Sequence, residues 1–179
     1  MIRILPDSIS IEEEVPEDIP GIRLVNQLAF DGDYEADVVD RLRRNCPEIL
    51  SLVAKQGDAV VGHVLFSPAN IVPLEGWTVT GMGLGPLAVH PEHQGKGIGS
   101  ALCQAGMQIM EAAGHPFVIV LGHPAYYPRF GFAQASAHGI RCAFKDVPVE
   151  AFMIRIIDVD TMAGVAGTAY YRQEFEEAS

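Results

Sequence analysis

Three glycines lie within five residues of one another where an apolar helical pattern begins. They are Gly95, Gly97 and Gly99 in the segment HPEHQGKGIGSAL, and no Ser, Thr, Asp or Asn stands directly before Gly97 to cap the helix. Glycines allow positive φ angles and a close approach of the backbone to a ligand, and a helix N-terminus attracts anions. The segment therefore predicts an anion site, usually for phosphate, in which the ligand replaces the cap and Lys96 adds a positive charge.

Two common phosphate-binding loops do not explain this turn. The P-loop pattern G-x-x-x-x-G-K-[ST] fails because its first glycine would be His90 and no Ser or Thr follows Lys96. The dinucleotide pattern G-x-G-x-x-[GA] is met by residues 83–88, but these lead into a strand instead of a helix. A tight connection that binds no ligand stays open as the alternative.

The turn is predicted to join a buried strand to the strongest helix of the chain. Residues 84–89 are apolar at both the odd and the even positions, so both faces of the strand are apolar, which is typical of a central strand. Residues 98–113 show helical periodicity, and Gly114 follows as a typical C-terminal glycine. The apolar stripe of this helix comprises Ile98, Leu102, Ala105, Ile109, Met110 and Ala113.

The remaining elements follow from hydrophobic periodicity and from turn residues. One helix is expected after Asp18 as its N-cap, with Pro20 in its first turn, and its buried stripe is Ile22, Val25, Leu28 and Ala29. A second helix is predicted over 34–45, and a short one over 125–130. Strands are predicted over 8–13, 50–55, 59–67 with an extension at 70–72, 77–79, 117–121, 132–135 and 149–157. The tail from residue 158 shows no clear pattern.

Length and composition predict one domain over residues 1–179, with 158–179 as a C-terminal extension. The chain is 49% hydrophobic and 20% charged, which suits a single core. Its net charge of −11 argues against nucleic acid as a partner and favours cationic ligands such as amines. The scattered cysteines, and the lack of a signal peptide or a long apolar run, predict a cytoplasmic protein without a membrane segment.

Residues 87–102, LAVHPEHQGKGIGSAL, resemble the acetyl-coenzyme A signature of the GNAT superfamily of N-acetyltransferases. The family pattern is [QR]-x-x-G-x-[GA] at a strand-to-helix turn, and Gln94, Gly97 and Gly99 fill it. Downstream, YPRFGF at 127–132 resembles the second family element, a tyrosine on a short helix followed by a Gly-Phe pair. The flanking elements, from 8 to about 157, also follow the family order, so the resemblance covers most of the chain.

The resemblance implies an α+β fold of the GNAT-like α/β/α type. Its sheet is mixed, mostly antiparallel and strongly twisted, and helices flank it. The two central strands, 84–89 and 117–121, are expected to splay apart in a V that holds acetyl-CoA as cosubstrate.

The resemblance also assigns the site residues. Backbone groups of Leu87 and Val89 pair with the pantetheine arm, the Val89 N–H polarises the thioester carbonyl, and Tyr127 sits beside the sulfur as the catalytic residue. The amides of the glycine-rich turn hold the pyrophosphate, and Tyr126 packs against the helix or the cofactor. The cofactor-binding set is thus Leu87, Ala88, Val89, Gln94, Gly95, Lys96, Gly97, Ile98, Gly99, Ser100 and Tyr126.

The expected reaction is the direct transfer of an acetyl group to a primary amine of a small molecule or a protein. The general base stays open, with His63 and Glu75 as candidates acting directly or through water. No metal is expected, because Pro91 breaks any helix that would align His90 with His93 and no third ligand is evident. An acyl-CoA sensor without turnover is the main alternative, and a scaffold domain is a further one. A homodimer is compatible with the sequence, although no segment specifies one.

Overall fold

The computed structural model describes residues 5–6 and 8–177, without the side chain of residue 177. Within this part of the chain, contacts define two compact units. The first unit contains the residues up to Phe66, Pro86–Gln108 and the residues from Gln173 onward. The second contains Ser67–Gly85 and Ile109–Arg172. The expectation of one domain over residues 1–179 stays a prediction.

The first unit contains an antiparallel sheet whose strands the sequence predicts well. β1 (Ile9–Glu13) pairs with β2 (Leu50–Gln56), and β2 pairs with the first half of β3 (Ala59–Val72). A turn containing Gly57, with φ of 61°, connects β2 to β3. The final part of β4 (Val79–Val89) lies beside β3, because the His90 N–H donates to the Val61 carbonyl at 2.9 Å.

Helices cover both faces of the first unit's sheet. α1 (Ile19–Phe30) and α2 (Tyr34–Asn45) share a buried cluster with β2 and β3 through Val53 and Leu65. α3 (Ile98–Ala112) packs on the opposite face, since a Cβ at Gly62 would lie 2.9 Å from Ile98 Cγ2 and one at Gly106 2.2 Å from Phe66 Cε2. The second helix has the predicted bounds, and the helix–sheet–helix layering is confirmed.

The second unit contains two parallel pairs among the described strand pairings. The first part of β4 pairs in parallel with β5 (Phe117–Leu121), and β5 continues through β8 (Phe152–Ile156) to β6 (Ala133–Gln134) by antiparallel pairing. The end of β3 pairs with β9 (Gly167–Tyr170), and β9 pairs in parallel with β7 (Ile140–Cys142). A four-residue helix, α4 (Val159–Met162), precedes β9. The mixed, mostly antiparallel sheet with flanking helices is as predicted.

The two parallel pairs within residues 8–177 are β4 with β5 and β7 with β9. Both pairs belong to the second unit. Only the β4–β5 pair joins the two strands that the sequence places at the centre of the fold. It is therefore the pair that bears on the candidate site.

Two predicted helical stripes differ from the structure. On α1, Leu28 is 42% exposed, and Asn26 takes the buried position because its amide donates to the Ile22 carbonyl at 2.9 Å. On α3, Ile109 is exposed, whereas Met107 and Cys103 are buried beside the predicted Leu102. Asp18 stands at the N-cap of α1, but its carboxylate accepts the Val15 N–H instead of capping the helix.

Several late or short elements also differ from the prediction. Trp77 is 91% exposed in the loop before β4, so the expected short strand at 77–79 is wrong and one long strand runs over Val79–Val89. The unassigned tail contains α4, β9 and, from Glu174 to Glu177, the short helix α5. No described helix has the length and apolar character that a membrane crossing requires.

Candidate functional site

The last residues of β4 present a backbone edge that points away from β3. The His90 N–H donates to Val61 of β3, and the backbone polar groups of successive residues on a strand point to opposite edges. The backbone groups of Leu87 and Val89 therefore lie on the other edge. Ala88 is 1% exposed, so its side chain belongs to the core and only its backbone can take part in binding.

A short 3₁₀ helix, Pro91–His93, and the Gln94 side chain shape the entry to the turn. His90 caps this helix, because its Nδ1 accepts the Glu92 N–H at 3.2 Å. Gln94 Nε2 then donates to the Val89 carbonyl at 3.1 Å. The side chain that matches the family pattern thus ties the turn to the end of β4, which fixes the turn's position relative to the strand.

The glycine-rich turn has the backbone geometry that its composition predicts. Gly95 and Gly97 have φ angles of 75° and 89°, which residues other than glycine adopt only with strain. The Ala101 N–H closes the first turn of α3 by donating to the Gly97 carbonyl at 3.0 Å. The amides that precede Ala101 start the helix and have no carbonyl four residues back within it.

The side chains of the turn divide into solvent-facing and core-facing ones. Gln94, Gly95 and Lys96 are exposed, and Gly99 and Ser100 are partly buried. Ile98 is 1% exposed and packs over Gly62, so it can contact a ligand only through its N–H. The turn can therefore present amides and the Lys96 ammonium to an anion. Such a surface fits the diphosphate of a nucleotide cofactor.

In the second unit, the parallel pairing of β4 with β5 ends early. Its register runs from Met82↔Val118 to Leu84↔Val120, while β4 continues to Val89. The next residue, Gly85, has a φ of 150°, a conformation that residues with a side chain rarely adopt. The register thus ends at the start of the segment 84–89 that the sequence predicts to leave its neighbour.

Tyr127 begins a 3₁₀ helix, Tyr127–Phe130, at the predicted short helix after Pro124. It is 8% exposed, and its ring makes edge-to-face contacts with Tyr126 at 5.1 Å and Phe132 at 5.8 Å between centroids. A Cβ at Gly122 would lie 2.5 Å from Tyr127 Cε2. Aromatic rings and a bare glycine therefore hold the phenol in one orientation.

Tyr126 is partly buried and has a different environment. The Arg129 guanidinium lies 4.6 Å from the centre of its ring, and Arg129 Nε donates to the Tyr126 carbonyl at 2.9 Å. These contacts fix the ring by a cation–π interaction. They fit the predicted packing role better than a role in proton transfer.

His63, a candidate base, is fully buried in the first unit. Its Nδ1 lies 3.1 Å from Asn26 Nδ2 and its Nε2 lies 2.9 Å from Ser51 Oγ, so both ring nitrogens have partners. Ser51 also donates to Glu14, and Glu14 binds Arg43. Burial lowers the pKa of His63 to about 3. A residue enclosed in this way has a structural role, and His63 therefore does not fit the role of the general base.

The other polar candidates are dispersed among the described residues. Glu75 is exposed in the loop between β3 and β4, beside the exposed Leu74 and Trp77. The rings of His90 and His93 meet edge to face at 5.6 Å. Within residues 5–6 and 8–177, no three His, Cys, Asp or Glu side chains cluster as a metal site would need.

Sequence reasoning missed Tyr171, which follows β9. Its hydroxyl lies 3.2 Å from the Leu84 carbonyl and 3.4 Å from the Ile119 carbonyl, at the end of the β4–β5 register. The segment GTAYY alternates weakly, and its β-prone residues were the only signal that a strand would bring this tyrosine to the sheet.

Comparison with known proteins agrees with this geometry. Residues 12–135 match the acetyltransferase (GNAT) domain family. The uncharacterized N-acetyltransferase YhbS of Escherichia coli K12 is 34% identical over 166 residues, which are 92% of this chain and 97% of YhbS. YjhQ of the same organism, another uncharacterized N-acetyltransferase, is 39% identical over 117 residues, 64% of each chain.

Two solved structures share both fold and sequence with the chain. The crystal structure of YhbS from Escherichia coli in complex with CoA has a TM-score of 0.87 and 33% identity, covering 97% of this chain and 93% of that one. A GNAT acetyltransferase from Brucella melitensis in complex with acetyl-CoA has a TM-score of 0.73 and 32% identity, covering 93% and 97%. On this evidence the chain belongs to the GNAT family of acetyltransferases.

Proposed function

We propose that the protein transfers an acetyl group from acetyl-CoA to a primary amine of a small molecule or a protein. The observation that carries the proposal is the strand–turn–helix at the end of β4, where Gly95 and Gly97 have positive φ angles directly before α3. Relatives at 33% and 32% identity were solved with CoA and acetyl-CoA, which supports the same cosubstrate here.

The first unit supplies the groups proposed to bind CoA. The glycine-rich turn and the positive N-terminal end of the α3 dipole face the diphosphate, and Lys96 adds an exposed positive charge. The edge of β4 at Leu87 and Val89, which faces away from β3, pairs with the amides of the pantetheine arm in the manner of an added strand. The local positive field explains how a chain of net charge −11 can bind a polyanionic cofactor.

The reaction follows from ordinary acyl-transfer chemistry. The neutral amine nitrogen attacks the thioester carbonyl carbon, a C–N bond forms, the C–S bond breaks, and the amine loses the proton that the departing sulfur gains. The Val89 N–H stabilises the charge that develops on the carbonyl oxygen, and one such donor contributes about 3 kcal/mol. Because the donor is a backbone N–H, this stabilisation of the carbonyl oxygen does not depend on the identity of a side chain.

Tyr127 is the proposed catalytic side chain for the leaving thiolate. A phenol has a reference pKa of about 10 and a thiol of about 8.5, so complete proton transfer from tyrosine to thiolate is uphill by about 2 kcal/mol. We therefore assign Tyr127 a hydrogen bond that stabilises the thiolate as it forms. Its fixed ring contacts suit a donor that must be oriented before the reaction.

The acceptor amine must lose a proton before it attacks. A lysine-like amine has a reference pKa of about 10.4, so about one molecule in a few thousand is neutral at pH 7. With His63 enclosed, Glu75 is the remaining candidate base from the sequence, and it acts directly or through water. Arg23 lies within salt-bridge distance of three carboxylates, those of Asp33, Asp37 and Asp40. It therefore neutralises part of the negative charge at and just before α2 that could otherwise attract a cationic amine.

The test is a thiol-release assay with acetyl-CoA and a panel of primary amines. We expect amine-dependent release of CoA by the wild-type protein. Tight binding of acetyl-CoA without any thiol release across the panel would instead identify an acyl-CoA sensor, and calorimetry that detects no CoA binding would favour a scaffold. A cytoplasmic location, homodimerisation and the absence of nucleic-acid or membrane partners stay predictions.

A further inference from the structure

Tyr171 makes contacts with both strands of the parallel β4–β5 pair. Its hydroxyl lies 3.2 Å from the carbonyl oxygen of Leu84 on β4 and 3.4 Å from that of Ile119 on β5. The N–H of Leu121, at the end of β5, donates to the same phenol oxygen. A tyrosine hydroxyl has one proton and two lone pairs, so one group serves backbone atoms from two strands.

These contacts lie where the strands stop pairing. The register of β4 and β5 ends at Leu84↔Val120, and the backbone groups beyond that point lose their ladder partners. A buried backbone group without a partner is strongly disfavoured, so two strands can separate inside a protein only where other groups replace the ladder. The Tyr171 hydroxyl supplies such a group at Leu84, the last paired residue of β4.

The surroundings of the Tyr171 ring are adapted to this position. A Cβ at Gly83 would lie 2.6 Å from Tyr171 Cε1, so any side chain at Gly83 would displace the ring. The ring also stacks on Phe144, with centroids 5.9 Å apart and planes at 19°. Burial, and then the neighbouring Tyr127 and Cys142, raise the pKa of Tyr171, which keeps the phenol protonated as a donor.

We propose that Tyr171 is a positioning residue that ends the β4–β5 pairing at Leu84 and so leaves the following β4 backbone free for the pantetheine arm. This inference rests on the proposed function. It predicts that a change at Tyr171 weakens binding of the pantetheine arm of CoA but not of its nucleotide. The reason is that the pantetheine arm depends on the β4 backbone, whereas the nucleotide depends on the amides of the glycine-rich turn.

The experiment compares Tyr171→Phe with the wild type and with the control Tyr170→Phe. Tyr170 is the neighbouring tyrosine and is 44% exposed, so the control removes the same hydroxyl from a solvent-facing position. Calorimetry measures the affinities for CoA and for 3′-phosphoadenosine 5′-diphosphate, which is CoA without its pantetheine arm. We expect Tyr171→Phe to weaken CoA about tenfold with no change for the nucleotide, and Tyr170→Phe to change neither.

A second variant, Gly83→Ala, moves the ring without removing the hydroxyl and covers the case in which Tyr171→Phe does not fold. It should show the same loss of affinity for CoA alone. Unchanged CoA binding in Tyr171→Phe, or an equal loss for both ligands, would overturn the inference. A wild-type protein that binds neither ligand would instead overturn the proposed function, and the two failures are thus distinguishable.

Discussion

The Tyr127 ring occupies the space that a side chain at Gly122 would need. A Cβ at Gly122 would lie 2.5 Å from Tyr127 Cε2, and the Gly122 backbone is held because its N–H donates to the Ala151 carbonyl at 2.9 Å. The glycine cannot retreat easily, so the tyrosine must move if a methyl group is added. The orientation of the proposed catalytic phenol is therefore encoded in part by a residue five positions earlier.

Gly122→Ala should lower kcat by about 100-fold, because a displacement of about 1 Å of a catalytic group has an effect of that size. CoA affinity should change much less, since the amides of the turn are untouched. Steady-state kinetics and calorimetry measure the two effects. Gly32→Ala is the matched control, because a Cβ at Gly32 meets no atom within 4 Å. Equal activity of both variants would contradict the assigned role of the Tyr127 ring.

Tyr127→Phe should lower kcat by about 100-fold or more, the usual contribution of a hydrogen-bond donor positioned for a charge that develops in the transition state. The ring and its aromatic contacts remain, so CoA binding should stay near the wild-type value. Turnover numbers and a CoA titration measure this pair of quantities. Tyr170→Phe serves as the control for loss of an exposed hydroxyl. Unchanged turnover in Tyr127→Phe would remove the residue from the mechanism.

Gly95→Ala tests the backbone geometry of the turn. A methyl group at a φ of 75° introduces strain of about 1–2 kcal/mol, and relief of that strain reorients the amides that we propose bind the diphosphate. We expect weaker CoA binding by calorimetry. Gly57→Ala is the matched control, because Gly57 has a φ of 61° and, like Gly95, has open space around its Cβ position. It should cause a similar loss of thermal stability with normal CoA affinity, and a loss of affinity in both variants would speak against a local role of the turn.

The sequence predicted the strand–turn–helix and its neighbours because their signals are local. The periodicity of α2 and the apolar run of β5 give their bounds, and glycines at 95 and 97 adopt the positive φ angles for which they were singled out. Long-range contacts cannot be predicted in this way. Leu28 was expected in the core, but Asn26 is buried instead, because its amide contacts His63, thirty-seven residues later. No local sequence pattern indicates that pair.

The tail shows the same limit more clearly. β9 is short, and it exists because β3 and β7 offer edges on both of its sides. Tyr171 therefore reaches Leu84 across a sequence separation of 87 residues. Tertiary pairing of this kind overrides weak local propensity, which is why the tail stayed unassigned from the sequence.

Buried His63 predicts a pH dependence of stability. Its folded pKa of about 3 lies below the reference value of 6.5, so the unfolded chain binds the proton between these values and the folded protein does not. The free energy of unfolding is therefore not reduced by His63 above pH 6.5. It decreases as the pH falls from 6.5 toward 3, with a slope of about 1.4 kcal/mol per pH unit for one proton.

Denaturant unfolding between pH 7 and 5 measures that slope, and it should be shallower in His63→Gln. His115→Gln is the comparison variant. Burial lowers the pKa of His115 as well, but this residue is only partly enclosed, so its removal should change the pH slope of stability less than removal of His63 does. In NMR spectra the His63 ring signals of the folded wild-type protein should not titrate above pH 5. Titration of that ring near pH 6.5 would show that it is accessible to solvent and would reopen its role as a base.

The most direct test of the account is the stoichiometry of the reaction. The purified protein is incubated with acetyl-CoA and a primary amine from the panel, free thiol is titrated, and the amine product is analysed by mass spectrometry. The account predicts one acetylated amine for each CoA thiol released, with both products reduced together in Tyr127→Phe. Thiol release without an acetylated amine, for every amine tested, would contradict it.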